Sequence, residues 1–99
     1  MIRKAPFDDY VIDTLLPDLV GHDHAPSAFL VYLKLWHLCG GPEGRGVSIS
    51  LQTLAVETGL SKSSIQAGIR RLKHRGYLTA TRSAATAVPT YRVHAPWRR

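Results

Sequence analysis

The stretch SLQTLAVETGLSKSSIQAGIRRLKHRGYL, residues 50–78, decides the fold. Ser50 precedes a run in which Leu51, Leu54 and Ala55 fall on one side at helical spacing. That pattern predicts a capped helix ending at Glu57 or Thr58. Gly59-Leu60 makes the turn, because glycine readily adopts the positive φ that a connection of about three to four residues needs. Ser61 then caps a second helix, Ser61 to Arg75, whose Ile65, Gly68, Ile69 and Leu72 repeat at i, i+3, i+4, i+7. Gly76 stops it in the position where a left-handed residue commonly ends a helix.

Upstream, Val47-Ser48-Ile49 reads as a short strand after the Gly-rich loop Glu43 to Gly46. Before it, a helix starts at Pro26 and runs to about Cys39, where Gly40-Gly41-Pro42 halts it. This helix is apolar almost all round, with only Ser27, Lys34 and His37 polar. Such a helix must be covered on more than one side, by the N-terminal segment, a second subunit, or both. The N-terminal segment carries Val11, Ile12, Leu15, Leu16, Leu19 and Val20 at helical spacing, interrupted by Pro17. The expectation there is a short helix followed by a turn, with a linker over Gly21 to Ala25. Residues 1–25 are thus expected to form an N-terminal extension and candidate dimerisation arm, and residues 26–99 the main domain. Downstream, Tyr77 to Arg82 and Thr90 to His94 read as two strands joined by the long tip Ser83 to Pro89.

The order is helix, short strand, helix, tight turn, helix, hairpin. On the residues quoted from Ser50 to Leu78, the chain resembles the winged helix-turn-helix superfamily. It is similar to the DNA-binding domains of GntR-type and MarR-type regulators and to the winged domains of phage and plasmid replication proteins. The resemblance implies a mainly α fold with a small β-hairpin: three core helices, a wing and an N-terminal helical extension. It also implies double-stranded DNA as the partner. The chain departs from the pattern at Gly68, where alanine or a larger apolar residue is common, and at the wing tip, which lacks the usual Arg or Lys.

Charge agrees with such a partner. The chain has a net charge of +6, distributed unevenly. Residues 1–50 hold four Lys or Arg against six acids, whereas residues 51–99 hold nine against one, Glu57. A basic half points to a polyanion, nucleic acid before membrane. A solvated basic face with no partner is the alternative that composition leaves open. No apolar run approaches the roughly 20 residues of a membrane span. Met1-Ile2-Arg3-Lys4 is followed by acids rather than by an apolar signal core, and the single Cys39 cannot form an internal disulfide. These features suggest the cytoplasm. No catalytic arrangement, cofactor-binding motif or metal site is expected: the loop 40–46 lacks the phosphate-cradling pattern, and His22-Asp23-His24 has no companion cluster.

Successive helical residues are rotated by about 100°. Opposite the apolar stripe of the second motif helix therefore lie Ser63, Ala67, Arg70 and His74, flanked by Ser64, Gln66 and Arg71. The first turns of such a helix meet base edges in the major groove. Ser63, Gln66 and Arg70 are accordingly the expected base contacts; Gln pairs two-pronged with adenine and Arg with guanine. Lys62, Ser64 and Arg71 are expected to support them, with Lys73, Arg75, Arg82 and Arg92 on phosphates. The expected role is a transcriptional regulator acting as a homodimer through the N-terminal segment and helix 26–39. A replication or partition factor is the alternative within DNA binding, and a protein-interaction module the alternative outside it.

Overall fold

The computed structural model describes residues 6–98. An N-terminal helix with wide π turns comprises Val11–Leu15 and Pro17–His22. It is followed by α1 (Pro26–Cys39), β1 (Val47–Ser48), α2 (Leu51–Thr58), α3 (Lys62–His74), β2 (Leu78–Thr81) and β3 (Thr90–Val93). The three strands form one antiparallel sheet in the order β1-β3-β2. With the helix-turn-helix of α2 and α3, this is a winged helix-turn-helix fold.

The helix ends follow the sequence signals. The Ser50 hydroxyl accepts the Thr53 N–H at 3.1 Å, and Ser61 accepts that of Ser64 at 3.1 Å. Each side chain thereby satisfies one N–H that a helix start would otherwise leave unpaired. Gly59, at φ 79°, turns the chain between α2 and α3. Along α3, Ile65, Gly68, Ile69 and Leu72 are buried, so the apolar stripe read from the sequence is the one that faces the core.

The expectation for the N-terminal segment needs correction. Pro17 does not break the N-terminal helix, which continues through it to His22. A proline ring clashes with the carbonyl four residues back in an α-helix, but π turns bond five residues back. Here the N–H of Leu16 bonds to Val11 O, and that of Asp23 to Asp18 O. The expected linker shrinks to Asp23–Ala25, where His24 has φ 52°. The short strand expected at Val47–Ile49 forms at Val47 and Ser48, which pair with Tyr91 and Thr90 and so add a third strand beside the hairpin.

The apolar α1 is enclosed largely within the chain. Val11, Leu15 and Leu19 of the N-terminal helix are fully buried in the same core as α1, α3 and the sheet. Tyr32 and Trp36 of α1 sit at its centre, both fully buried. The Tyr32 hydroxyl donates to the His94 carbonyl at 2.7 Å. Burial pushes the Cys39 thiol upward from its ordinary pKa, consistent with a core rather than a reactive role. Leu30, Phe7 and Ile12 stay substantially exposed.

The C-terminal segment also docks. Trp97 lies against Tyr10 with ring centroids 4.4 Å apart, and its indole N–H donates to Asp8 at 2.8 Å. Arg98 donates to both oxygens of the same carboxylate, at 2.8 and 2.7 Å. A hydrogen-bonded clamp thus joins the end of the described chain to the start of the N-terminal helix.

Candidate nucleic-acid interface

The site is built on the exposed face of α3. Ser63, Gln66 and Arg70 are exposed, as are Lys62, Arg71, Lys73 and His74, with Ser64 half-buried at the cap. Buried Ile65, Ile69 and Leu72 hold the opposite face down, so these polar side chains project into solvent from a fixed helix. At the first turn, the Ser61 hydroxyl lies 3.1 Å from that of Ser63 and 3.0 Å from that of Ser64.

α3 and the wing enclose an open cleft of about 590 Å³. Gln66, Arg70 and Lys73 line it from α3, and Arg82 faces them from the end of β2. Arg82 also donates to the Ala85 carbonyl at 3.2 Å, which ties the guanidinium to the wing's own loop. The far wall is the neutral tip, including Val88 and Pro89. Ser50, read from the sequence only as a helix cap, lines the cleft as well. That second placement depends on how α2 lies against the wing, which no local signal encodes.

Two expected phosphate contacts lie elsewhere. Arg75 is turned away from the cleft into ion pairs with Asp18 and Asp23. It sits at the C-cap of α3, where the chain has already wound round toward the N-terminal helix. Arg92 is exposed between buried Tyr91 and Val93, so the strand alternation puts it on the solvent side of the sheet. There it reaches back to the Gly44 carbonyl at 3.4 Å. Asp18, His22 and Asp23 bring ligand-type atoms within 4.8 Å of one another, but the Arg75 guanidinium already occupies both carboxylates.

Charge pairing separates the surfaces. Lys34 pairs with Glu57 at 3.1 Å, Arg75 with Asp18 and Asp23, and Arg98 with Asp8 and Glu43. Among the described residues no acid pairs with Lys62, Arg70, Arg71, Lys73 or Arg82. Acids therefore pair with Lys34, Arg75 and Arg98 but leave the cations on the outer face of α3 and at the wing root as unpaired positive charge. Such a field attracts a polyanion and concentrates it at that face.

A family model described as a helix-turn-helix domain matches residues 25–78. That is more than half of the chain, and the protein belongs to this helix-turn-helix family of DNA-binding domains. The matched segment runs from the start of α1 through α3 into β2. Comparison with curated proteins and with solved structures found no match. No helix among the described residues is long and apolar enough to cross a membrane.

Proposed function

We propose that the protein binds double-stranded DNA sequence-specifically, as a transcriptional regulator, with α3 in the major groove. The observation that carries this reading is the row of cations on α3 and the wing root that no acid neutralises, flanking exposed Gln66 and Ser63. Ser63, Gln66 and Arg70 read base edges, Gln66 suiting adenine and Arg70 guanine. Lys62, Ser64, Arg71, Lys73 and Arg82 bind phosphates and fix the register. Arg75 and Arg92 are left out of this assignment because their guanidinium groups lie away from the cleft.

The same reading makes the protein a homodimer with two α3 helices on half-sites about one helical turn apart. The surface that supports it is the apolar groove formed by Phe7, Leu30 and Leu33, bordered by His37 and the Lys34–Glu57 pair. Sedimentation at tens of micromolar (a range chosen to expose weak association) is expected to show dimer, and monomer alone argues against it.

Selection of bound duplexes from a random pool tests the function. A palindromic consensus is the expected outcome, while a tandem array would favour an origin or partition site. No enrichment, together with no salt-sensitive binding to random duplex, would overturn the DNA reading in favour of a protein-interaction module.

A further inference from the structure

We propose that Arg75 is a positioning residue, which braces α3 against the N-terminal helix and thereby sets the angle at which α3 meets duplex DNA. The inference rests on the duplex-binding reading above. It starts from the two carboxylates that Arg75 joins. In an α-helix, residues five apart point about 140° away from each other around the axis. Asp18 and Asp23 are five apart, yet one guanidinium holds both. The π turn makes this possible, since its bond from Asp23 N–H to Asp18 O, at 2.9 Å, sets residue i+5 over residue i. The wide turns that carry the chain through Pro17 therefore also build the acidic receptor for Arg75.

The receptor is partly dry. The Asp23 side chain is only 7% exposed and that of Arg75 28%. The guanidinium lies 5.6 Å from the centroid of the Tyr77 ring, which belongs to the core. Its position at the C-cap of α3 is also favourable, because the carbonyl end of a helix attracts a cation. A phosphate brought to Arg75 would meet Asp18 and Asp23, so the group is badly placed as a direct DNA contact.

Geometry makes the brace relevant to reading. α3 packs tightly against α1 at Gly68, where it meets the Ala28 backbone. That contact lies near the middle of α3 and can act as a pivot. Arg75 is seven residues further on, roughly 10 Å along the axis. A restraint at that distance limits rocking about the pivot, and rocking would move Ser63, Gln66 and Arg70 relative to the bases. Base-reading side chains must be held to within about 0.5 Å to discriminate.

The test uses R75Q, R75K and the double variant D18N/D23N, each measured on a selected duplex and on a scrambled one. The readout is the ratio of the two affinities. R75Q and D18N/D23N are expected to lower this ratio alike, by about tenfold, the discrimination of one good base contact. Combining them should lower it no further, and R75K should recover part of it. An unchanged ratio overturns the proposal in either of two forms. If R75Q weakens both duplexes equally and lowers the salt slope by about one, Arg75 is a phosphate contact. If only the unfolding midpoint falls, its role is purely structural. Should the wild type itself fail to discriminate, the function reading falls separately. Amide exchange in the last turn of α3 of the free protein then decides: equal acceleration in R75Q and D18N/D23N supports the brace, and no change rejects it.

Discussion

Gly68 faces the backbone of Ala28 so closely that a Cβ on it would lie 3.1 Å from the Ala28 Cα and 3.2 Å from its nitrogen. The departure from the superfamily pattern at this position thus marks where α1 crosses α3. Two terms oppose each other on substitution. Alanine gains up to about 1 kcal/mol of helix propensity over glycine. It also overpacks a contact made by backbone rather than by a yielding side-chain end, at a typical cost of about 1–3 kcal/mol. Gly68→Ala is therefore expected to lower stability by about 1 kcal/mol net, and Gly68→Leu by considerably more. Urea unfolding measures this, with exposed Ala67→Gly as the control for propensity alone. A raised midpoint for Gly68→Ala would show that the crossing has slack.

What could be read from the sequence divides along the range of the interactions. The caps at Ser50 and Ser61, the turn glycine at Gly59 and the stripe Ile65–Leu72 act within a few residues, and the structure has them as expected. Their consequence, an outward face with Ser63, Gln66 and Arg70, follows from helical rotation alone. The ion pairs of Arg75 could not be read, because its acids lie 57 and 52 residues away, on a helix whose π turns no local pattern announced. The strand at Val47 was legible but its place in the sheet was not, for the same reason: Val47 pairs with Tyr91, across the whole motif. Trp97 likewise finds its partner, Asp8, 89 residues away, where no local pattern points.

Asp8 is expected to make stability acid-sensitive. Its hydrogen bonds from the Arg98 guanidinium, and secondarily from Trp97, hold its carboxyl below the ordinary aspartate value against the opposing effect of burial. A carboxylate with a lowered folded-state pKa stabilises the fold above its unfolded pKa, about 3.9. That contribution fades as pH falls below this value through the folded-state pKa. Because Arg98 is partly exposed, the ion pair is worth about 1 kcal/mol or less. Unfolding midpoints measured between neutral and acidic pH should decline less in Asp8→Asn than in the wild type. Asp23, held low chiefly by its bond to His22 and then by Arg75, leaves a residual decline in that variant. Parallel declines in the two proteins would show that the clamp does not depend on charge.

Ser61 separates folding from binding. Its hydroxyl accepts the Ser64 N–H, and removing it in Ser61→Ala should cost about 1 kcal/mol of stability. Aspartate is an equally good cap and adds a favourable interaction with the helix dipole. Ser61→Asp should therefore keep the wild-type unfolding midpoint. If the start of α3 approaches DNA, however, the new negative charge weakens duplex binding. Unchanged affinity in Ser61→Asp would place the first turn of α3 away from the phosphates.

The cleft and the outer sheet make opposite predictions for their basic residues. Arg70→Ala should cost about 1–3 kcal/mol on a selected duplex and relax one base preference, because it removes a base contact. Lys73→Ala and Arg82→Ala line the same cleft but face the backbone in this assignment. Each should weaken all duplexes nearly alike and reduce the slope of log affinity against log salt by about one. Arg92→Ala should leave both affinity and slope near wild type, since its side chain points from the solvent side of the sheet toward Gly44. Titrations of the four variants on selected and scrambled duplexes at several salt concentrations distinguish these outcomes. A loss of slope in Arg92→Ala equal to that in Arg82→Ala would mean that DNA also wraps onto the outer sheet, and that the footprint extends well beyond α3 and the cleft.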